Sequence, residues 1–381
     1  MRTRPALLAA AVALTVTGVG ACVHDRTAAR VEGQRPHATV GPAAAGPVNV
    51  YSHAATNMLS PAVRDDRPLV YVPETLADTV TVIDPKTYTV IGTFPGGHEP
   101  QHIVPAYNLR TLFVTSSRVP GGGIIAVNPT TGQPVRQYQV PDVYNLYFTP
   151  DGRHAIVVAE YYQRLDFYDP STWQRVASVD QSGCEGINHM DFSADERVAL
   201  VSCEFGNRMI VIDANTGRRL RGFALDRVSD GMPQDTRLVP NGTAFLVADM
   251  HANGLYVFNG DATAMVGFIP TGRGAHGIYF SRDGRVAYVS NRDEGSISVI
   301  DLATLKPVGK WWIPGGSPDM GGLSADGTVL WLSGRYTSEV YAISTATGRL
   351  LARIPVGPGP HGLLVWPQPG RYSLGHTENI R

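Results

Sequence analysis

Apolar and polar positions alternate along most of the chain in runs of five to seven residues, broken by D-G, N-G and T-G pairs. One stretch shows the unit complete. "GIYFS" is followed by the turn "RDG", then "VAYVSN", then "SISVID", then "PVGKWWI", which ends at Ile313. Period-two alternation with β-branched and aromatic residues predicts four strands, here A to D. The paired turn residues predict the connections between them. Helical periodicity is essentially missing from the sequence.

The unit recurs. Strand C ends at Asp84 in "VTVID", Asn128 in "IIAVN", Asp169 in "LDFYD", Asp213 in "MIVID", Asn259 in "LYVFN", Asp301 in "SISVID" and Ser344 in "VYAIS". The intervals are 44, 41, 44, 46, 42 and 43 residues. A period in the forties with four short strands is the signature of a propeller blade. Seven copies predict an all-β, seven-bladed β-propeller with four-stranded antiparallel blades. The first copy lacks its strand A, whereas "HGLLVWP" at residues 361–367 supplies one with no strands B–D after it. The C-terminal strand A is therefore expected to pair with the N-terminal strands B–D and close the ring, which removes an exposed sheet edge. Truncation before about Pro360 should then destabilise the whole domain.

The motifs "YVSN" at residues 288–291 and "SVID" after it, with "A-H-G" or "P-H-G" opening strand A and "S-x-D-G" closing it, resemble the YVTN-repeat family of seven-bladed propellers. That resemblance covers residues 69–367. It implies a distant likeness in fold to the propellers of haem-containing nitrite reductase and nitrous oxide reductase. Those relatives imply histidine ligation of copper or haem as an expectation. The chain departs from them, having no C-x-x-C-H for haem attachment and no paired-histidine copper motif.

Composition narrows the function classes. The chain has 381 residues, a formal net charge of −1 and 17% charged residues. No nucleic-acid partner is expected, since such domains carry a basic stripe or a pI above about 9. Arg2 and Arg4 precede an apolar run at residues 6–17, shorter than the roughly 20 residues of a membrane span. "VGAC", ending at Cys22, resembles a bacterial lipobox. The expected organisation is a lipoprotein signal peptide over residues 1–21, lipidation at Cys22, and an Ala/Gly/Pro-rich tether over residues 22–47. The propeller follows over residues 48–369, and a tail over residues 370–381. Export and anchoring at the outer face of the cytoplasmic membrane or the cell surface follow from it, with the lipid as the membrane contact.

Candidate chemistry comes from the position that opens strand A. Strand A lines the central channel, so its first residues converge once per blade at one mouth. Aligning the copies puts Gln101, Tyr144, Asn188, Asp235, His276, Asp319 and His361 at that position. His102, Asn145, His189, Thr236, Gly277, Met320 and Gly362 follow them. The B-to-C loops on the same face contribute Glu74, Ser117, Glu160, Glu204, His251, Asn291 and Arg335. The expected result is a funnel lined by histidines and carboxylates. It suits a small molecule, a peptide, a glycan or a protein partner at the propeller face. The alternative is a transition metal or haem held by His102, His189, His276 and His361, since imidazole is the commonest transition-metal ligand. Such a centre would serve redox or hydrolytic chemistry. A lactonase-like acid/base pair would draw on Glu160 or Glu204 beside His189; no spacing selects catalysis. A polar mouth without a ligand is the third reading.

Cys184 and Cys203 remain for the domain. An even pair in an exported chain suggests a disulfide; a thiolate site with His189, or two free thiols, are the other readings. Trp311, Trp312, Trp331 and Trp366 are expected between blades. The tail is expected to lie across one face, with His376 exposed.

Overall fold

The computed structural model describes residues 49–381. The signal, lipobox and tether readings, Cys22 included, lie outside the described residues. Seven four-stranded antiparallel sheets stand in a ring. In the blade that contains "YVSN" the strands are Ala275–Phe280, Val286–Asn291, Ser296–Asp301 and Lys306–Trp312, in the order A to D. The innermost strands elsewhere are Pro100–Pro105, Asn145–Phe148, Ile187–Phe192, Pro233–Leu238, Pro318–Leu323 and Leu364–Trp366.

The ring closes as the repeat predicts. Leu364–Trp366 pairs with Leu69–Glu74, placing Trp366 opposite Leu69 and Leu364 opposite Tyr71. The core is not one mass but seven interfaces, each between neighbouring blades. One joins Tyr147 and Ile156 to Phe192 and Val201; another joins Val70 and Val72 to Trp331 and Val340 across the closure. Strands A to C are buried because each sheet is covered on both faces, whereas strand D at the perimeter is mostly exposed. Trp331 and Trp366 pack between blades as expected, but Trp312 is exposed, because strand D turns that face to solvent.

Two features position the site. First, strand A carries an irregularity at its start in most blades. Ala275 faces Asn291, then pairing resumes only at Ile278 opposite Val289; the same gap follows Pro100, Ile187, Pro233 and Pro318. Two residues in each of these five blades are thus freed from the ladder, a β-bulge that re-aims side chains. Their amides are not left bare. Hydroxyls on strand B take them: His102 N donates to Thr115 Oγ1 (3.1 Å), His189 N to Ser202 Oγ (3.2 Å) and Gly277 N to Ser290 Oγ (2.8 Å). Ser290 is the serine of "YVSN", so the repeat motif encodes the bulge.

Second, the tail does not rest on the surface. Residues 370–381 run over the A-to-B turn face and dip into the channel. Phe148 N donates to Leu374 O (3.0 Å) and His376 N to Leu146 O (2.9 Å). Arg381 bonds Asp191 and Phe192 O. His376 is 1% exposed, contrary to the sequence expectation, because its segment inserts between strands A rather than lying across them.

Cys184 and Cys203 form a disulfide. It ties the loop before His189 to the end of strand B in the same blade.

Candidate metal centre

The bulge residues form two layers around the channel axis. By strand pairing, the first position of the layer holds Gln101, Tyr144, Asn188, Gln234, His276, Asp319 and His361, and the second holds His102, Asn145, His189, Asp235, Gly277, Met320 and Gly362; Asn145 takes its place without a bulge, paired with Val158. Asp235 therefore belongs one position later than the sequence alignment put it. Pro233, not Gln234, is the residue that faces Asp249.

In the deeper layer, His102, His189 and His376 each bring a ring nitrogen within 4.8 Å of the other two. Ring centroids are 5.4 Å apart for His102–His189, 5.1 Å for His102–His376 and 4.9 Å for His189–His376. Asn145 braces two of the rings, with Nδ2 3.3 Å from His189 Nδ1 and 3.0 Å from His376 Nδ1. Asp235 Oδ1 lies 3.6 Å from His376 Nε2. His361 packs against the group with its ring tilted, 4.9 Å from His102 between centroids.

In the upper layer, Asp319 Oδ1 lies 3.1 Å from His276 Nδ1, and His361 Nε2 is 3.9 Å from Asp319 Oδ2. Arg292 fills this group. Its Nε and Nη2 donate to Asp319 Oδ1 at 3.0 and 2.5 Å, and Nη2 also lies 2.5 Å from His276 Nε2. Three ligand-type side chains meet here too, but a guanidinium already holds them. His361 Nδ1 is engaged by Gln101 Oε1 at 3.0 Å.

Burial sets the charge state. Desolvation, together with neighbouring His189 and Arg335, holds the His102 imidazole well below its ordinary pKa. His189 is pushed down to about 3, by burial first and Arg292 second. His276, His361 and His376 are depressed well below the usual value by the same leading cause. All five are therefore neutral near pH 7, the form that ligates metals. Asp235 is raised to about 6, chiefly by burial.

Stability does not explain the cluster. Both ring nitrogens of His102 and the Nε2 atoms of His189, His361 and His376 are buried without a hydrogen-bond partner among the described residues. Each orphaned polar group costs about 1–3 kcal/mol. Four imidazoles packed this way, with five nitrogens unpaired, destabilise the ring unless something pairs with them.

The remaining candidates are placed as follows. Glu160 and Glu204 lie above the upper layer; burial raises both, and the charge of Glu204 is the next cause for Glu160. Asn188 Nδ2 donates to Glu204 Oε2 at 2.7 Å. Arg335 bonds Thr75 Oγ1 and Gly359 O. Glu74 does not line the channel. It accepts from Thr81 Oγ1 and Gly357 N, binding its own blade to the closing loop. Asn291 donates to Ser296 and Ser298 within its sheet, and His251 is exposed, its ring on Asp230 O. In these three blades the alignment slipped by one residue: strand pairing shows that Thr75, Met250 and Arg292 hold the positions equivalent to Arg335. Arg292 was missed for that reason, and His376 because the tail has no counterpart in the repeat.

The chain matches the model of the YNCE-like β-propeller family over residues 38–369. It belongs to that family. No curated protein sequence matches it. Among solved structures it is similar to a functionally unknown protein from Desulfotomaculum acetoxidans DSM 771, at 15% identity and a TM-score of 0.65, over 78% of this chain and 99% of the other. It is also similar to dihydro-heme d1 dehydrogenase NirN in complex with DHE, at 16% identity, TM-score 0.60, over 85% and 83%. Hydrazine synthase of Kuenenia stuttgartiensis follows at 17% identity, TM-score 0.59, over 74% and 94%. At these identities the likeness is one of fold. A YNCE-like propeller is compatible with a binding or scaffold role.

Proposed function

We propose that this YNCE-like propeller is an exported, lipid-anchored binding protein whose ligand is a single borderline transition-metal ion, Zn²⁺ or Cu²⁺, in the deeper histidine layer. The observation that carries the reading is the meeting of His102, His189 and His376 with ring nitrogens within 4.8 Å of one another. Three neutral imidazoles suit such ions better than Mg²⁺ or Ca²⁺, which prefer oxygen. Capture of one lone pair from each ligand would also relieve three of the five orphaned nitrogens. Ligation through Nε2 requires the Asn145 amide to turn its oxygen toward the two Nδ1–H groups, the outer hydrogen bond that fixes a ligating histidine, at the expense of the bond its Oδ1 accepts from Leu146 N at 2.8 Å.

The same burial argues against the other ligands considered for the mouth. His102 and His189 are 0% exposed, too deep for a peptide or glycan to touch. Neighbouring rings 4.9–6.5 Å apart between centroids leave no slot between them for a haem macrocycle. Metal content of the purified protein, measured by elemental analysis after exposure to equimolar Zn²⁺ or Cu²⁺ and gel filtration, tests the reading. One ion per chain is expected, falling below about a tenth in His102→Ala and His189→Ala. Equal metal in all three proteins overturns it.

A further inference from the structure

His376 is the one member of the deeper layer that no blade supplies. Its segment reaches the axis from the face opposite the B-to-C loops, and its attachments there are largely polar. Asn379 Nδ2 donates to Asp191 Oδ1 at 2.8 Å, Leu323 N to Glu378 Oε1 at 2.6 Å, and Arg237 Nη2 to Glu378 O at 3.1 Å. Only Leu374 and Ile380 contribute fully buried apolar side chains. At the deepest point the backbone is unfavourable: His376 takes a φ of 54°, a left-handed conformation rare for a residue with a side chain. Beside it Gly375, at φ 107°, lies so close to Tyr147 and Leu146 O that no β-carbon fits. Strain of this kind persists where the surroundings fix it and clusters at functional sites. The segment is thus held in a costly shape so that one imidazole enters the site.

We infer that residues 370–381 form a metal-responsive stopper: the ion proposed above bridges His376 to His102 and His189, so metal occupancy and docking of the segment stabilise each other. The inference rests on that reading of the site. Linkage makes the effect reciprocal. An ion that binds only the docked form holds the segment in place, by a factor that grows with free ion over its dissociation constant. Conversely, undocking opens the channel from this face and removes one of three ligands, giving the ion a route of exchange that avoids the Arg292-filled upper layer.

Arg371 stands exposed at the root of the segment, whereas Arg381 is buried. Trypsin cleavage after Arg371, followed by mass spectrometry as loss of residues 372–381 from the full chain, reports undocking. Saturating ZnCl₂ should slow that cleavage at least tenfold relative to chelator. The slowing should disappear in His376→Ala and also in His102→Ala, which removes a ring packed beside His376 but none of the segment's hydrogen bonds. Cleavage elsewhere in the chain should not change. If zinc binds one per chain yet cleavage after Arg371 is unaltered, or if His376→Ala binds zinc as tightly as the parent, the stopper is overturned while the metal site stands. If zinc does not bind the parent at all, both readings fall together.

Discussion

The His102 imidazole occupies the space that a side chain on Gly362 would need: a β-carbon built on Gly362 collides with His102 Nδ1 and Cγ and with Gln101 O. Main-chain bonds lock the two segments together, Gly362 N donating to Gln101 O at 2.9 Å and Ile103 N to Gly362 O at 3.1 Å. The glycine after the histidine in "P-H-G" thus serves the ring of the next blade. Gly362→Ala is expected to displace His102, cost about 1–3 kcal/mol as overpacking does, and weaken metal binding at least tenfold. Chemical denaturation and a zinc titration of this variant check both effects; unchanged values would separate the glycine from the site.

Arg292 stands in for a cation in the upper layer. In Arg292→Ala the buried Asp319 loses its partner, and breaking a buried pair from one side costs about 3–5 kcal/mol. The variant also frees His276, Asp319 and His361 as a second ligand set. Its thermal stability should fall in chelator and recover in zinc, with metal content rising from one to two ions per chain. A variant that loses stability with no recovery in zinc would show that this triad serves packing alone.

Acid sensitivity follows from the buried histidines. Their folded-state pKa values are depressed, that of His189 to about 3, against about 6.5 in the unfolded chain. Below pH 6.5 the unfolded chain takes up protons that the metal-free fold refuses, so stability is present above that pH and is lost as pH falls. Each such histidine contributes a slope of about 1.4 kcal/mol per pH unit. Asp235 acts with the opposite sign, because its raised value of about 6 lets the fold hold a proton first; Glu160 and Glu204 do likewise. Arg292 and Arg335 face the rings and favour their neutral form. Asp142, Asp249 and Glu378, also raised by burial, join the opposing set, so the histidine loss is expected between pH 7.5 and 6.0, where the unfolded imidazoles begin to charge. Denaturation at pH 7.5 and 6.0 in chelator should show it, and His376→Phe should reduce it. Stability that is flat or rising on acidification contradicts the neutral cluster.

The ring and its closure were legible because seven copies spell the same strands, so each ambiguous strand could be read against six others. The convergence of His102 and His189 was legible for the same reason: strand A has a fixed place at the axis. Register within the loops was not. The start of strand A carries two unpaired residues and the B-to-C loops differ in length, which moved Asp235, Glu74, His251 and Asn291 by one place and hid Arg292. Depth was not legible either. Repetition predicts convergence, while the tail that covers the opposite opening makes the layer buried rather than solvated. His376 lies in a segment that occurs once, and only the surplus of a Gly-His pair beyond the last strand marked it.

X-ray absorption at the zinc edge tests the central claim most directly. The protein loaded with one equivalent of Zn²⁺ should show about three imidazole nitrogens near 2.0 Å, with one fewer in His376→Ala. A shell of oxygens alone, identical in the parent and in His102→Ala, would place the ion on the surface and contradict a channel site.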